Sequence, residues 1–207
     1  MSTIIYPSPI FGPVHSRRLG ISLGINLMPA DGKMCNFDCI YCECGFNKDH
    51  VSTLRRPSRE AVATALEAKL REMRTRNERP DVLTFAGNGE PTAHPDFQNI
   101  IDDTVRLHNQ YCPEAKISVL SNSTFIFKDS VFEALMRVDN NILKVDTVDS
   151  DYINKVDRPQ QPSYDIHKII DQLCRFNGHV IIQSMFLKGR AEDGTDVDNT
   201  HERFVGP

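Results

Sequence analysis

The chain has 207 residues, of which 40% are hydrophobic and 25% are charged, and its formal net charge is −4. A chain of this length buries enough apolar surface to fold as one domain without a disulfide framework. The acidic balance, with basic residues scattered as short pairs such as Arg17-Arg18, argues against a broad basic face for nucleic acid. No apolar run reaches the roughly 20 residues of a membrane-spanning helix, and the first residues lack a signal-peptide pattern, so we expect a cytoplasmic protein with reduced cysteines.

Apolar, β-branched runs predict five strands. They lie at residues 21–27, 82–86, 117–120, 142–148 and 180–187.

Helical patterns separate these strands. The first begins after Pro57-Ser58 and carries an apolar stripe, the second follows Pro95, the third opens at Asp129 and the fourth opens at Ser163. This alternation predicts an α/β fold whose parallel strands are joined by right-handed helical crossovers. Periodicity leaves open whether the sheet is an open doubly wound sheet or a closed or partly closed barrel.

Polar groups recur at the carboxyl ends of the predicted strands, which is where both architectures place function. They include GNGEPT at 87–92, SNST at 121–124, Lys144 with Asp146 and Asp149, and Gln183. The first three also have structural interpretations, whereas a buried Gln183 amide would need hydrogen-bond partners. The glycines fit an ordinary turn, Ser-Asn fits a helix cap, and Lys144 with Asp146 fits a salt bridge.

The segment KMCNFDCIYCECG, residues 33–45, holds four of the six cysteines. Cys35, Cys39 and Cys42 form a CxxxCxxC pattern. A zinc site needs four ligands, usually as two CxxC knuckles, and no CxxC pair stands elsewhere, while Cys44 is poorly spaced for a knuckle. A [4Fe-4S] cluster on three cysteines would leave one iron without a protein ligand. Cys112 and Cys174 stand alone and are predicted to be small buried hydrophobes.

The sequence CNFDCIYC resembles the signature of the radical S-adenosylmethionine (SAM) superfamily, and GNGEP resembles its second motif. Further segments resemble a subgroup of iron-sulfur oxidoreductases related to tRNA wyosine-synthesis enzymes. They are HSRRLGISLGIN, TFAGNGEPTAHPDF, VLSNST, ILKVD and IIQSMFLKG, so that the resemblance covers nearly the whole chain.

The resemblance implies a partial (β/α) TIM-type barrel of five to six parallel strands. We expect one radical SAM core domain over residues 1–207, with an N-terminal extension at 1–20 and a tail at 188–207 that looks like the start of another helix. The implied cofactors are one [4Fe-4S] cluster and SAM.

The resemblance also implies roles for single residues. Cys35, Cys39 and Cys42 would ligate the cluster, and Tyr41 would pack near the adenine of SAM. The other implied SAM contacts are the turn at Gly87, Asn88 and Gly89, the polar support Glu90, Ser121 with Asn122, and Asp146 with Gln183. Cys44 stays unassigned.

The implied reaction is reductive cleavage of SAM to methionine and a 5'-deoxyadenosyl radical that takes hydrogen from a substrate. An electron donor such as flavodoxin or ferredoxin would supply the electron. The sequence leaves the substrate open among a tRNA base, a peptide and a small molecule, and it assigns no further catalytic residue. The alternative is an iron-sulfur electron-transfer or zinc-binding module without SAM chemistry.

Overall fold

The computed structural model describes residues 3–190 and 194–200. Six strands form the main sheet, and five α-helices and a small hairpin accompany it. The sheet strands are β1 (Ile10–Ser16), β2 (Gly20–Ile25), β3 (Val82–Phe85), β4 (Lys116–Ser121), β5 (Asn140–Lys144) and β6 (Ile181–Gln183). The helices are α1 (Arg59–Thr75), α2 (Phe97–Tyr111), α3 (Asp129–Leu135), α4 (Ser150–Val156) and α5 (Ile166–Cys174). The hairpin strands are β7 (Lys188–Arg190) and β8 (Asp196–Asp198).

The sheet order is β1-β2-β3-β4-β5-β6. Strands β2 to β6 are parallel, and β1 pairs antiparallel with β2. The five predicted strands are therefore present and parallel, and the sixth is antiparallel. Strand β1 was not predicted because Gly12 and Pro13 interrupt its apolar pattern; an edge strand tolerates both, with a register shift between Phe11 and Val14.

Alternate residues of the parallel strands face the helices and form the core. Leu23, Leu83, Val119 and Leu143 are each fully buried at this face. Helix α1 covers part of it with Val62, Leu66, Leu70 and Met73, the stripe that the sequence predicts. Because side chains alternate across a strand, the neighbouring positions face the opposite, concave side of the sheet.

Helix boundaries follow side-chain caps. Ser58 caps α1 by accepting from the N–H of Ala61, as the Pro57-Ser58 signal predicts. The fourth predicted helix begins three residues later than expected, because Asp165 accepts from the N–H groups of His167 and Lys168. Cys174 is exposed at the end of that helix, so the prediction that it is buried is wrong, whereas Cys112 is buried.

The two largest errors in strand length are at the carboxyl ends of β5 and β6. Strand β5 ends at Lys144 rather than residue 148, because Asp149 caps the short helix α4 through the N–H groups of Asp151 and Tyr152. Strand β6 ends at Gln183 rather than residue 187. The extra residues in both cases lie in irregular segments that surround the carboxyl end of the sheet.

The tail forms a hairpin where the start of a helix was predicted. Strands β7 and β8 pair antiparallel, and residues 201–207 of the predicted tail lie outside the described residues. Val197 is buried against Tyr152 and Val156 of α4, with Ile40 and Tyr41 packed alongside. A strand is favoured over a helix here because apolar Val197 alternates with polar Asp196 and Asp198. This alternation lets Val197 contact α4 while its two neighbours face away from that contact. Among the described residues no helix is both long and apolar enough to cross a bilayer.

We expect Val197→Ala to lower the free energy of unfolding by about 1–2 kcal/mol, because it removes buried methyl groups from the contact between hairpin and α4. Val51→Ala is the matched control, since Val51 is 72% exposed, and it should change the value by less than about 0.5 kcal/mol. Urea denaturation measures both. Equal stabilities of the two variants would show that the hairpin is not packed on the domain.

Candidate functional site

The cysteine loop, residues 33–45, follows β2 at the carboxyl end of the sheet. Backbone hydrogen bonds tie it to two neighbours. The N–H of Met34 donates to the carbonyl of Asn88 at 2.8 Å, and the N–H of Ile40 donates to the carbonyl of Val156 at 2.9 Å. The loop is thus fixed between the turn after β3 and the end of α4.

Cys35, Cys39 and Cys42 are free, half-buried thiols of this loop. Burial raises the pKa of Cys35 to about 12 and also raises the pKa of Cys39. The three groups are close enough for their charges to interact, because ionised Cys35 and Cys42 further raise the pKa of Cys39. The thiolate is the form that binds metal, so iron would replace these protons.

Hydrogen-bond donors contact the sulfurs of Cys35 and Cys42. The Sγ of Cys35 accepts from the N–H of Phe37 at 3.4 Å and from Nδ2 of Asn122 at 3.7 Å. A hydrogen bond with Cys44, aided by the Lys33 ammonium, lowers the pKa of Cys42 to about 6. Three thiols, aligned N–H donors and a nearby cation fit an anionic iron-sulfur cluster. Within residues 3–190 and 194–200, no group of three His, Cys, Asp or Glu side chains is arranged to hold a single metal ion.

The turn after β3 meets the cysteine loop backbone to backbone. Gly87 and Gly89 have φ of +132° and +144°, which side chains on L-residues disfavour. A Cβ on Gly89 would lie 2.0 Å from the carbonyl oxygen of Met34, and the two residues form an isolated parallel bridge. The sulfur of Cys44 also lies 3.5 Å from the carbonyl oxygen of Gly87. Glycine is therefore required where the two segments touch.

Asn88 and Glu90 brace this turn from inside the protein. Nδ2 of Asn88 donates to the carbonyls of Tyr6 and Pro29, at 2.8 Å each. The carboxylate of Glu90 accepts from the N–H of Thr92 at 3.0 Å and from the N–H of Asn122 at 2.7 Å. Burial raises the pKa of Glu90. Both side chains are satisfied by protein groups, so they position the turn.

Ser121 and Asn122, at the end of β4, adjoin the cysteine loop. Nδ2 of Asn122 donates to Oδ1 of Asn36 at 2.7 Å as well as to Cys35. Oγ of Ser121 accepts from the N–H of Ser123 at 3.1 Å. The end of β4 is thus linked to the first cysteine.

A buried charge network lies on the other side of the loop. Nζ of Lys144 is 2.8 Å from Oδ2 of Asp146 and 2.5 Å from Oδ1 of Asp157. The hydroxyl of Tyr41 donates to Oδ2 of Asp146 at 2.5 Å, and the N–H of Met185 donates to Oδ1 at 2.9 Å. The pairing of Lys144 with Asp146 is confirmed. The network holds Tyr41 in place beneath the cysteines.

Two members of the site were not predicted. Asp157 ends the unpredicted helix α4, and burial raises its pKa to about 6. Lys33 is buried, and its Nζ donates to the carbonyl of Gly45 at 2.6 Å and to Oδ1 of Asp38 at 3.2 Å. No local sequence pattern indicates a role for Asp157. Lys33 could have been predicted as a member of the site, because it lies just before the first cysteine of the loop.

The main cavity, of about 740 Å³, opens on the concave face of the sheet. At its upper end it is lined by Tyr41, Cys42, Gly87 and Gln183. A smaller cavity of about 140 Å³ shares Tyr41 and Gln183 with it and includes Asp146. The main cavity has the size of sites that hold cofactors and other small molecules. The fold thus brings the cysteine loop, the glycine turn and Gln183 around one space.

Residues 31–200 match the family model of the radical SAM superfamily. The chain belongs to this superfamily. It is similar to a UPF0026 protein of Helicobacter pylori, with 33% identity over 187 residues that cover 88% of this chain and 58% of the relative. The chain therefore spans little more than half the length of that relative.

Solved structures of the superfamily share the fold. A radical SAM methyltransferase from Sphaerobacter thermophilus matches with a TM-score of 0.55 and 17% identity, over 84% of this chain and 50% of that one. Streptococcus suis SuiB bound to S-adenosylmethionine matches with a TM-score of 0.51 and 18% identity, over 83% and 33%. The predicted superfamily, its α/β partial barrel and its cofactors, a [4Fe-4S] cluster and SAM, are confirmed. The closer subgroup stays a prediction.

We expect Gly89→Ala to release the cysteine loop, because the new Cβ collides with the Met34 carbonyl. Iron bound per chain after anaerobic reconstitution should fall at least about twofold, with a loss of stability of about 1–3 kcal/mol. Gly178→Ala is the matched control: its φ is +87°, and a Cβ there meets nothing within 4 Å. A full iron content in Gly89→Ala protein would contradict the contact.

His94 makes the stability of the iron-free protein depend on pH. Its Nε2–H donates to the carbonyl of Pro57 at 2.9 Å, so its Nδ1 is the acceptor for the N–H of Asp96 at 3.1 Å. Burial lowers the pKa of His94, and protonation would break the bond to Asp96. Because the unfolded chain takes up the proton first, stability is present above the unfolded pKa near 6.5 and falls below it.

The difference in unfolding free energy between wild type and His94→Gln should therefore shrink as pH falls from 7.5 to 5.5. The slope for one proton is at most about 1.4 kcal/mol per pH unit. Urea denaturation at each pH measures it, with exposed His167→Gln as control. A difference that stays constant for His94→Gln would contradict the neutral tautomer.

Proposed function

We propose that this chain is a radical SAM enzyme that cleaves SAM reductively and directs the resulting radical at a substrate in the main cavity. The observation that supports this best is the closure of the cysteine loop on the glycine turn at the carboxyl end of a parallel sheet. Both segments border one cavity of about 740 Å³. That is the arrangement expected for a cofactor whose reactive end points into a shielded space.

Cys35, Cys39 and Cys42 would hold three irons of a [4Fe-4S] cluster, which leaves the fourth iron for SAM. When bound and reduced, the cluster would supply the one electron needed to cleave the carbon-sulfur bond of SAM, which would give methionine and a 5'-deoxyadenosyl radical able to take hydrogen from the substrate. The chain itself supplies thiolates, the Lys33 cation and the N–H donors to Cys35.

The roles toward SAM follow from position. The backbone of Gly87, at the cavity wall, would meet the methionine amino group, and Tyr41 and Gln183 would flank the adenosyl part. Ser121 and Asn122 would serve the carboxylate or ribose from the end of β4. Asp146 is only 3% exposed and bonds to Tyr41 and Lys144, so we assign it to positioning Tyr41 in place of contacting ribose.

The cavity walls would protect the radical. A primary alkyl radical attacks most C–H bonds and must be kept from water and stray hydrogen donors. Leu120, Ile142 and Ile181 present apolar side chains from three adjacent strands to the cavity. They make an apolar surface on which a substrate can pack next to the cysteine loop.

We also propose that this protein is a cytoplasmic oxidoreductase. A carrier such as flavodoxin or ferredoxin would supply its electron. Residues 1–207 would act as a single radical SAM core domain. The substrate would be a tRNA base, a peptide or a small molecule.

Cys39→Ala should abolish 5'-deoxyadenosine formation, by at least about 100-fold, when the anaerobically reconstituted protein is given dithionite and SAM, because the cluster loses a ligand. Cys174→Ala is the matched control, since Cys174 is exposed and distant in sequence from the loop, and it should keep the activity. Liquid chromatography of the nucleoside products measures both.

If wild-type protein binds iron or zinc yet yields no 5'-deoxyadenosine, the electron-transfer or zinc-binding alternative holds. If Cys39→Ala protein still forms the nucleoside, the cluster ligands are assigned wrongly.

A further inference from the structure

An exposed cation, Arg18, lies at the amino end of the main cavity, which is here called its floor. Arg18 belongs to the turn between β1 and β2, at the amino end of the parallel strands, and it lines the cavity. Among residues 3–190 and 194–200, no hydrogen bond or ion pair engages its guanidinium. The neighbouring Arg17 does not line the cavity. An unpaired guanidinium facing a cavity offers a fork of donors to an anion.

A pair of hydroxyls lines the cavity on adjacent strands. Oγ of Ser22 and Oγ1 of Thr84 lie 2.8 Å apart, and the two residues are 5% and 6% exposed. Their mutual hydrogen bond uses one of two hydroxyl protons. The second proton has no partner within the described chain, so it is available to a ligand.

The rest of the lower cavity is mainly apolar, with Ser16 and Asn140 as further polar lining residues. Phe11, Val14 and Leu19 line it from the N-terminal hairpin, opposite Leu120 and Ile142. The one carboxylate among its lining residues is Glu43, whose Oε2 accepts from the hydroxyl of Tyr6 at 3.0 Å. Glu43 belongs to the cysteine loop at the other end. Charge therefore changes sign along the cavity, with the positive end at the floor.

We propose that this floor is a substrate-anchoring subsite in which Arg18 binds the carboxylate or phosphate of a small amphiphilic substrate. The apolar body of the substrate packs against Leu120 and Ile142, with its reacting end toward the cysteine loop. One cation suits one anionic group, whereas a nucleic-acid backbone is bound by a row of cations. This inference rests on the proposed function, and it selects a small molecule among the three substrate classes.

Isothermal titration calorimetry with anaerobically reconstituted protein tests the subsite. The probes are 2-naphthoate, 2-naphthyl phosphate and the neutral 2-naphthalenemethanol, each titrated with and without SAM. Arg18→Gln should weaken one or both anionic probes about five- to tenfold and leave the neutral probe within about twofold. Arg18→Lys should recover part of the loss, and Arg17→Gln, the matched control, should change nothing. The anion that loses more distinguishes a carboxylate substrate from a phosphate.

Ile142→Ala should weaken all three probes alike, which places the apolar body on the wall. The proposal is overturned if the anionic probes bind no better than the neutral one. It is also overturned if Arg17→Gln weakens the anionic probes as much as Arg18→Gln does, or if SAM displaces the probes. Probe binding does not require SAM cleavage. A failure to form 5'-deoxyadenosine and a failure to bind anions are therefore separate results.

Discussion

The contact between the backbones of Gly89 and Met34 is the constraint on which the site depends. A loop of thirteen residues with four cysteines has no helix or strand to hold it, so its position is set by what it touches. At Gly89 it touches the turn that follows the central strand β3, with no space for a Cβ. Strand β3 pairs with β2 on one side and with β4 on the other. The contact with the turn after β3 therefore fixes the loop relative to the sheet. The thiols are thereby placed before any metal binds.

Buried charge makes the second attachment. Lys144 lies between Asp146 and Asp157, and removing one partner would leave an uncompensated charge in the interior. The same network binds the hydroxyl of Tyr41 in the loop and the N–H of Met185 after β6. The loop is thus fixed to the turn after β3 by close packing. It is fixed to the segments after β5 and β6 by hydrogen bonds to Asp146. Its two halves are held from opposite sides of the cavity mouth.

Local patterns account for the parts of the fold and site that could be predicted. The stripe at Val62, Leu66 and Leu70 needs only helical periodicity, and all three residues are buried where expected. The cysteine spacing and the glycine turn are likewise short-range signals, each carried by adjacent residues. Strand β1 was not predicted because Gly12 and Pro13 disfavour a strand in the local sequence pattern, although an edge strand tolerates them. The tail forms a hairpin in place of the expected helix because Val197 packs against Tyr152 and Val156 of α4.

The sequence by itself determined the α/β alternation, the three cysteines and the turn that accompanies them, because each is encoded in the order of neighbouring residues. Only the tertiary structure decided that Asp157 pairs with Lys144, that Asp146 faces Tyr41 and that Arg18 lines the cavity. These pairs join residues from different elements. Their encounter depends on how the sheet curves and where α4 ends, which no spacing along the chain can specify.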